Sequence, residues 1–206
     1  TDGTFGPSRS MTRSEAAAIF ARLLAEKNGD TISTAANTKF ADIPAHAWYS
    51  GYVKYLSNNG ITYGKSKTIF APNDAITRAE FTTMAVRFFD VYGDGDAEIM
   101  EQFSGFSDVS SGYWAAEYIK YAALHGWING YGDGSFHAER EINRAEVVTI
   151  VNRLLGREAD EDYIADNLRK LNTFPDVSRK HWAYYAVMEA ANAHTAVLGE
   201  SESWSK

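Results

Sequence analysis

Internal repetition is the feature of this 206-residue chain that most restricts its fold. One segment begins at Phe40, Phe106 and Phe174, so its copies are spaced 66 and 68 residues apart. Each copy has an Asp two residues after the Phe and a Trp six residues after that Asp. Such a pattern indicates related structural units that pack against one another, in place of one unrepeated core.

A second segment alternates with the first and contains Arg13, Arg78 or Arg144 in its three copies. Apolar residues follow each Arg at offsets 3, 6, 7, 10 and 11, which is the spacing of one face of an amphipathic helix. An N-cap residue precedes each Arg and a Glu follows it, as in a capping box. These pairs are Thr12 and Glu15, Thr77 and Glu80, and Asn143 and Glu146.

The segment that contains the Trp has its own helical stripe, which starts at the Trp itself. The sequence therefore predicts an all-α fold with about six main helices, short turns between them, and an extra short helix in DEDYIADNLRKL. We expect one pseudo-threefold domain, with a short stacked array as the alternative. Its parts are residues 1–39 (the second half of a first repeat), 40–105 and 106–173 (complete repeats), and 174–206 (the first half of a final repeat plus a tail).

Composition excludes several classes of function. The chain has 20 Lys and Arg against 27 Asp and Glu, so a basic surface for nucleic acid is not expected. It has no Cys, no metal-ligand spacing among its five His, and no apolar run of membrane-spanning length. We therefore expect no cofactor, no metal and no membrane insertion. The acidic stretch with Asp90, Asp94, Asp96 and Glu98 lacks EF-hand spacing and is interpreted as a solvated loop. Because the chain begins at Thr1, we expect it to be a piece of a longer or processed protein.

The repeated Arg lies at the first helical position, where the helix dipole opposes a cation by about 0.3–1 kcal/mol. One interpretation is an anion site, in which free N–H groups and the guanidinium bind a carboxylate or phosphate. The other is a structural ion pair with a capping Glu or with Asp42, Asp108 or Asp176. Exposed guanidiniums in grooves favour the first interpretation, and saturated ones favour the second.

The repeated Trp also has two interpretations. At helical spacing beside apolar neighbours a Trp is more often a core residue, so the core interpretation is favoured for Trp48, Trp114 and Trp182. A partly exposed Trp would instead stack on a sugar ring. The repeated Asp is interpreted as a turn former or helix cap, with sugar hydroxyls as the alternative partner.

These residues resemble the S-layer homology domain family. The matching elements are the Phe-x-Asp-Ile/Val segments, the following Trp, the helix openings MTRSE, ITRAE and INRAE, and GWINGYGDGSF at 126–136. The resemblance implies a pseudo-threefold helical module and no enzymatic activity. It also implies a partner and a location: the module holds the rest of a parent surface protein non-covalently to a secondary cell-wall polysaccharide, commonly one with pyruvylated N-acetylmannosamine. The location implied is extracellular, in the cell wall or S-layer of a bacterium.

The resemblance further implies ligand-binding residues in grooves between neighbouring units. The Arg of each helix opening would engage the acid group, and the other residues would form groove walls. Carried over by motif position, the set is Arg13, Arg78, Arg144, Asp42, Asp108, Asp176, Trp48, Trp114, Trp182, Gly64 and Gly130.

The sequence departs from the family pattern in places. The second copy of the turn, GITYGKSKTIF, adds Lys65 and Lys67, and the last unit lacks this turn unless the N-terminal TDGTF completes it. The alternatives are a helical protein-interaction scaffold or S-layer self-assembly module without glycan binding, and an enzyme that uses a repeated carboxylate. The anchor hypothesis predicts that Arg78→Ala weakens polymer binding and leaves the melting temperature nearly unchanged.

Overall fold

The computed structural model describes residues 2–93, 103–198 and 202–205. Asp94, Asp96 and Glu98 of the acidic stretch lie outside the described residues. Over the described ranges the chain forms seven α-helices, so the predicted helical fold is confirmed. Their bounds are α1 Arg13–Asn28, α2 Ser50–Asn58, α3 Arg78–Tyr92, α4 Ala116–Leu124, α5 Arg144–Leu154, α6 Glu161–Asn167 and α7 Tyr184–Ala191.

The helices α1, α3 and α5 begin at the three repeated Arg residues, and the predicted capping boxes are present at all three. At α1, the Thr12 hydroxyl accepts the Glu15 N–H at 3.2 Å, and a Glu15 carboxylate oxygen accepts the Thr12 N–H at 2.8 Å. Asn143 replaces Thr at α5 and accepts the Glu146 N–H at 2.9 Å. The substitution therefore preserves the cap, because the Asn side chain also supplies an acceptor oxygen.

The helices α2, α4 and α7 begin two residues after Trp48, Trp114 and Trp182 respectively. The prediction that the helical stripe starts at the Trp is therefore wrong. Each Trp lies in the turn before its helix, and its side chain does not belong to the buried face.

The C-terminal segment differs from an all-α fold. The predicted extra helix is present as α6 and is followed by a 3-10 turn at Leu168–Lys170. After α7, strands β1 (Thr195–Leu198) and β2 (Glu202–Ser205) form an antiparallel hairpin, with Thr195 opposite Ser205 and Leu198 opposite Glu202. A run of Thr-Ala-Val-Leu before Gly199 is the sequence pattern from which this hairpin could have been predicted.

The described contacts divide the chain into two compact units, the first of which is Ser10–Ile142. In this unit α1 packs on α2 and α3, and α3 packs on α4. Phe20 on α1 is fully buried and lies 5.3 Å from Phe81 and 5.0 Å from Phe88, centre to centre. These rings form an apolar core between the two longest helices.

A ring of three backbone hydrogen bonds lies in the same unit. The N–H of Met11 donates to Ile142, that of Ile142 donates to Ile76, and that of Ile76 donates to Met11, at 2.9–3.1 Å. All three side chains are buried. Met11, Ile76 and Ile142 occupy equivalent positions in the three copies of the helix opening. The three copies are therefore joined in a closed cycle by these backbone hydrogen bonds. The pseudo-threefold arrangement of the whole chain stays a prediction.

The second unit consists of residues 1–9 and 143–206, and in it α5 packs on α7. Its core contains Val148, Val187 and Met188, with Ile164 of α6 and Trp204 of the hairpin also buried. The Asp160 carboxylate caps α6 by accepting the Tyr163 N–H and also accepts the Trp204 N–H, so it ties the hairpin to α6.

Candidate functional site

Each repeated Arg is bonded to the backbone of a turn Phe. The Nε of Arg13 donates to the carbonyl oxygen of Phe70 at 2.8 Å, and the guanidinium lies 5.0 Å from the ring centre. Arg78 makes the same pair of contacts with Phe136, at 2.9 and 4.5 Å. In the other unit Arg144 repeats them with Phe5, at 2.8 and 4.7 Å. The three Arg side chains therefore have one structural role in common, which is to hold the turn that contains the Phe.

The three repeated Asp residues bind the same turns from the other side. Asp42 accepts the N–H groups of Phe70 and Ala71, at 2.9 and 2.7 Å. Asp108 does so with the Phe136 turn, and Asp176 with the Phe5 turn. The interpretation of this Asp as a former of turns is confirmed. The ion pair predicted between it and the repeated Arg is absent from the contacts described for Arg13.

These bonds have an electrostatic consequence for two of the carboxyl groups. Desolvation would raise the pKa of Asp108, but the N–H groups of Phe136 and His137 outweigh it and lower that pKa below its usual value. The N–H of Phe5, with that of Gly6, lowers the pKa of Asp176. Both carboxylates are therefore charged at neutral pH and committed to the backbone.

The last repeat is completed by the N-terminal residues. Phe5 supplies both the N–H bound by Asp176 and the carbonyl bound by Arg144, and its ring lies 5.4 Å from that of Phe174. Of the two alternatives for the final unit, these contacts of Phe5 favour completion by TDGTF.

The N–H groups at the helix starts are already used. At α1 the N–H of Arg13 donates to the Asp74 carbonyl, that of Ser14 to the Pro72 carbonyl, and that of Glu15 to the Thr12 hydroxyl. The N–H of Ala16 makes the first intrahelical bond, to the Thr12 carbonyl. Because the Thr12 N–H also donates to the Glu15 carboxylate, the four N–H groups that lack an intrahelical acceptor, those of residues 12–15, are all satisfied. An anion site built from free N–H groups is therefore not present at α1.

The carboxylate of Glu80, the capping residue of α3, offsets the positive charge of Arg13 at the start of α1. Its Oε2 lies 3.0 Å from Nη1 of Arg13, and its Oε1 lies 3.3 Å from Nζ of Lys65. Of the two partners the sequence offered for this Arg, the capping Glu is the one observed. Lys65 therefore extends this ion-pair network in the place of the usual Gly-Asp-Gly turn.

Exposure separates the two interpretations of the Arg. Arg13 and Arg78 are 4% and 5% exposed, and Arg144 is half-buried. Arg78 also donates to the carbonyl of Asn129, at 3.3 Å, and lies under the ring of Tyr131. Backbone carbonyls and aromatic rings thus surround Arg13 and Arg78, and this burial favours the structural interpretation for these two residues.

Gly64 and Gly130 are sites of close packing. A Cβ on Gly130 would lie 2.5 Å from a ring carbon of Phe106 and 2.6 Å from the Ser135 carbonyl oxygen. At Gly64, which has φ +81°, it would lie 2.4 Å from the ring of Phe40. These glycines let the Phe of the Phe-x-Asp segment pack directly on the turn, which explains their place in the motif without a ligand.

Among the predicted site residues, the three repeated Trp residues have side chains that are exposed to solvent. Trp48, Trp114 and Trp182 are 54%, 56% and 65% exposed, so the core interpretation is wrong. Each lies in a turn and packs against an aromatic ring of a neighbouring residue in the chain. The Tyr49 ring lies 5.4 Å from that of Trp48, and the His181 ring stacks on that of Trp182 at 5.8 Å. The buried tryptophans are Trp127 and Trp204, which are 3% and 5% exposed and lie outside the repeated Trp position.

Over residues 2–93, 103–198 and 202–205, no three His, Asp or Glu side chains are grouped so that they could hold a metal ion. In the same part of the chain, no helix combines the length and the apolar character that crossing a bilayer requires.

Comparison with known proteins identifies the family. The S-layer homology domain model matches residues 1–17, 39–82 and 105–148, about half of the chain. Cell surface glycoprotein 1 of Acetivibrio thermocellus is 33% identical over 98% of this chain and 8% of its own length. The cellulosome-anchoring protein of the same organism is 30% identical over 97% of this chain and 42% of its own length. The surface-layer 125 kDa protein of Lysinibacillus sphaericus is 32% identical over 75% of this chain and 12% of its own length.

The chain thus spans less than half the length of these relatives. The matched residues include the three helix openings, the Phe-x-Asp segments at Phe40 and Phe106, and the exposed Trp48 and Trp114. We call each turn Phe together with the Arg and Asp that bind its backbone a clasp; the three are Arg13–Phe70–Asp42, Arg78–Phe136–Asp108 and Arg144–Phe5–Asp176. The matched segments show that the chain belongs to the S-layer homology domain family.

Proposed function

We propose that this chain anchors a parent surface protein non-covalently to the bacterial cell wall by binding a secondary cell-wall polysaccharide. It acts as a binding module and not as an enzyme. Its family and the similarity to a cellulosome-anchoring protein and to a surface-layer protein support this function. The location that follows is extracellular, in the cell wall or S-layer.

The observation that carries the proposal is the exposure of the three repeated indoles. An exposed Trp costs free energy in water, and three such residues at equivalent positions indicate a repeated binding surface. An indole offers a flat apolar face, on which the C–H groups of a sugar ring can stack. Three weak faces on one polymer chain would act together through avidity.

We assign the contact role to Trp48, Trp114 and Trp182 and a positioning role to the buried Arg13 and Arg78. The net charge of −7 opposes general attraction to an anionic polymer, so recognition has to be local. The finer proposal is that the polymer is acidic and contains pyruvylated sugar. Its support is the family resemblance, and Arg144, half-buried, is the member of the repeated Arg set with the most open side chain.

A pull-down with purified cell-wall sacculi tests the anchor. We expect the chain to sediment with intact sacculi and to stay in solution once the secondary polymer has been removed chemically. Trp48→Ala, Trp114→Ala and Trp182→Ala combined should abolish sedimentation. The matched control combines Ile69→Ala and Val91→Ala, which remove other exposed apolar side chains. Sedimentation that survives polymer removal would support the protein-interaction scaffold and overturn the anchor.

Mild acid cleaves ketal-linked pyruvate and so tests the finer proposal separately. Loss of sedimentation after this treatment, with the polymer still attached to the sacculi, is the expected result. Unchanged sedimentation would retain the anchor and overturn the pyruvylated sugar as its ligand.

A further inference from the structure

A cluster of two cations and two tyrosines includes none of the repeated Arg, Asp and Trp residues. We call Lys39, Tyr63, Arg87 and Tyr118 the Tyr63 cluster. The guanidinium carbon of Arg87 lies 4.7 Å from the ring centre of Tyr63 and 4.9 Å from that of Tyr118. The Nζ of Lys39 lies 5.8 Å from the ring centre of Tyr63. Tyr63 itself is 56% exposed.

The cations of this cluster lack carboxylate partners within the described part of the chain. The Nε and Nη2 of Arg87 donate to the Tyr118 hydroxyl, at 3.2 and 3.0 Å, which leaves Nη1 without a described acceptor. The contacts of Lys39 within the described residues are with the rings of Phe40 and Tyr63. Asp90, three residues after Arg87 on α3, is not within ion-pair distance of it. In a chain with seven excess negative charges, two cations left to share one exposed ring are unusual.

Part of the cluster belongs to the repeat and part does not. Arg22 and Tyr52 form the equivalent pair one repeat earlier, with Nε and Nη2 at 3.2 and 3.1 Å from the hydroxyl and the guanidinium 5.0 Å from the ring. Trp48 lies 6.4 Å from the Tyr52 ring, but among the described contacts the Arg22 guanidinium has no second ring and the Tyr52 ring has no lysine. The repeat fold therefore accounts for the pairing of Arg87 with Tyr118, but it does not account for Tyr63 and Lys39.

The next copy of the turn leads to the same conclusion. Asn129 occupies the place of Tyr63, and Gly105 occupies the place of Lys39, in the copy that begins at Phe106. That copy makes its own clasp, with Phe136 held by Asp108. A turn of this kind thus folds without a tyrosine or a lysine at these places, and neither side chain is needed to hold it.

We propose that the Tyr63 cluster is a binding subsite for a saccharide that carries a carboxylate. The exposed ring of Tyr63 takes the apolar face of the sugar, and Nη1 of Arg87 with Nζ of Lys39 takes the carboxylate. A guanidinium held between two rings is well oriented for such a bond, since its rotation is already restricted. This inference rests on the proposed function and gives the acidic unit of the polymer a site separate from the repeated Arg residues.

The probes are glucuronic acid and glucose, which share the sugar ring and differ in the carboxylate. We expect millimolar glucuronic acid to shift the NMR resonances of the Tyr63 ring and the Arg87 Nε–H, and equimolar glucose to shift them far less. Tyr63→Asn, which installs the residue of the next copy, and Lys39→Gln should each weaken glucuronic acid binding by about tenfold. Lys54→Gln, the same charge change on the exposed face of α2, should leave it unchanged.

Equal shifts with both sugars, or shifts that persist in Tyr63→Asn, would overturn the subsite. Sedimentation with sacculi is measured on the same variants, so the two proposals fail separately. A chain that sediments but shows no preference for glucuronic acid keeps the anchor and loses the subsite. A chain that prefers glucuronic acid at Tyr63 and does not sediment keeps the subsite and loses the anchor.

Discussion

The Nε of Arg78 lies 2.9 Å from the carbonyl oxygen of Phe136, and its guanidinium carbon lies 4.5 Å from the centre of the same residue's ring. Asp108 accepts the N–H of that Phe at 2.7 Å. Phe136 is thus held through its backbone N–H, its backbone carbonyl oxygen and its ring, and its side chain is fully buried. A motif that looks like a ligand clasp in sequence is a backbone clasp in the fold, and this changes what its mutants should do.

The first prediction concerns Arg78→Ala. The substitution leaves the carbonyls of Phe136 and Asn129 without this donor, and an unsatisfied buried polar group costs about 1–3 kcal/mol. We expect the free energy of unfolding to fall by about 2–4 kcal/mol, measured by urea denaturation. The sequence-based expectation of an unchanged melting temperature is therefore replaced by one of clear destabilisation.

Lys54→Ala is the control for Arg78→Ala, because it removes an exposed cation of the same unit and should change stability by less than about 0.5 kcal/mol. Arg78→Lys should give an intermediate loss, since an ammonium group cannot reproduce the planar donor geometry of the guanidinium. An Arg78→Ala protein as stable as the Lys54→Ala control would contradict the structural role assigned to this Arg.

Acid should weaken the clasps. The folded-state pKa values of Asp108 and Asp176 are lowered, so both groups contribute stability above the unfolded-state value of about 3.9. That contribution is lost as the pH falls through the folded-state values. We expect the free energy of unfolding to decline as the pH drops from about 5 to below 4, with a shallower decline in Asp108→Asn.

The comparison of Asp108→Asn with the parent chain is made at two pH values. At pH 7 the variant should be less stable, because its single carbonyl oxygen replaces a carboxylate that accepts from both Phe136 and His137. At pH 3 the two proteins should be closer in stability. A stability difference that does not depend on pH would show that the charge of Asp108 contributes nothing.

Repetition and local rules were enough to predict the helices and their starts, since capping depends on residues three apart. The partners of Arg13 could not be predicted in the same way, because Phe70 is 57 residues away in the chain and contributes a backbone atom. A backbone carbonyl has no residue identity that a pattern can reveal. The Phe of each turn was the available signal, and it recurs as Phe5, Phe70 and Phe136.

Gly130→Ala should destabilise the turn that the clasp holds. The added methyl group would lie 2.5 Å from the Phe106 ring and 2.6 Å from the Ser135 carbonyl oxygen, so either the ring or the backbone must move. Overpacking of this kind costs about 1–3 kcal/mol. Thermal unfolding followed by circular dichroism measures the loss.

Gly132→Ala, in the same turn, is the control for Gly130→Ala. No atom lies within 4 Å of its added Cβ, and its φ is outside the left-handed region. This variant should unfold at a temperature close to that of the parent chain. Equal losses in the two variants would contradict the packing on Phe106 as the cause, because the lower backbone entropy of the unfolded Ala variant would by itself favour folding.

The exposure of the indoles escaped prediction for a different reason. The sequence pattern places the start of the helical stripe at Trp48, but α2 begins at Ser50, so the pattern includes a residue that lies outside the helix. Propensity gives helix boundaries only to within a few residues, and a two-residue shift turns a side chain by more than half of a helical turn. The misplaced helix start therefore led to the wrong prediction that the Trp48 side chain is buried.

The last prediction separates binding from stability with two tryptophans of the same repeat. Trp114 is 56% exposed, and Trp127 is 3% exposed with its ring 4.6 Å from that of Phe89. Trp127→Ala should lower the free energy of unfolding by about 3–5 kcal/mol, because it opens a cavity in the core. Trp114→Ala should lower it by less than about 1 kcal/mol and still weaken sedimentation with sacculi. Because the exposed indole adds little to folding, a Trp114→Ala protein that binds sacculi as well as the parent chain would remove the principal support for glycan stacking at this position.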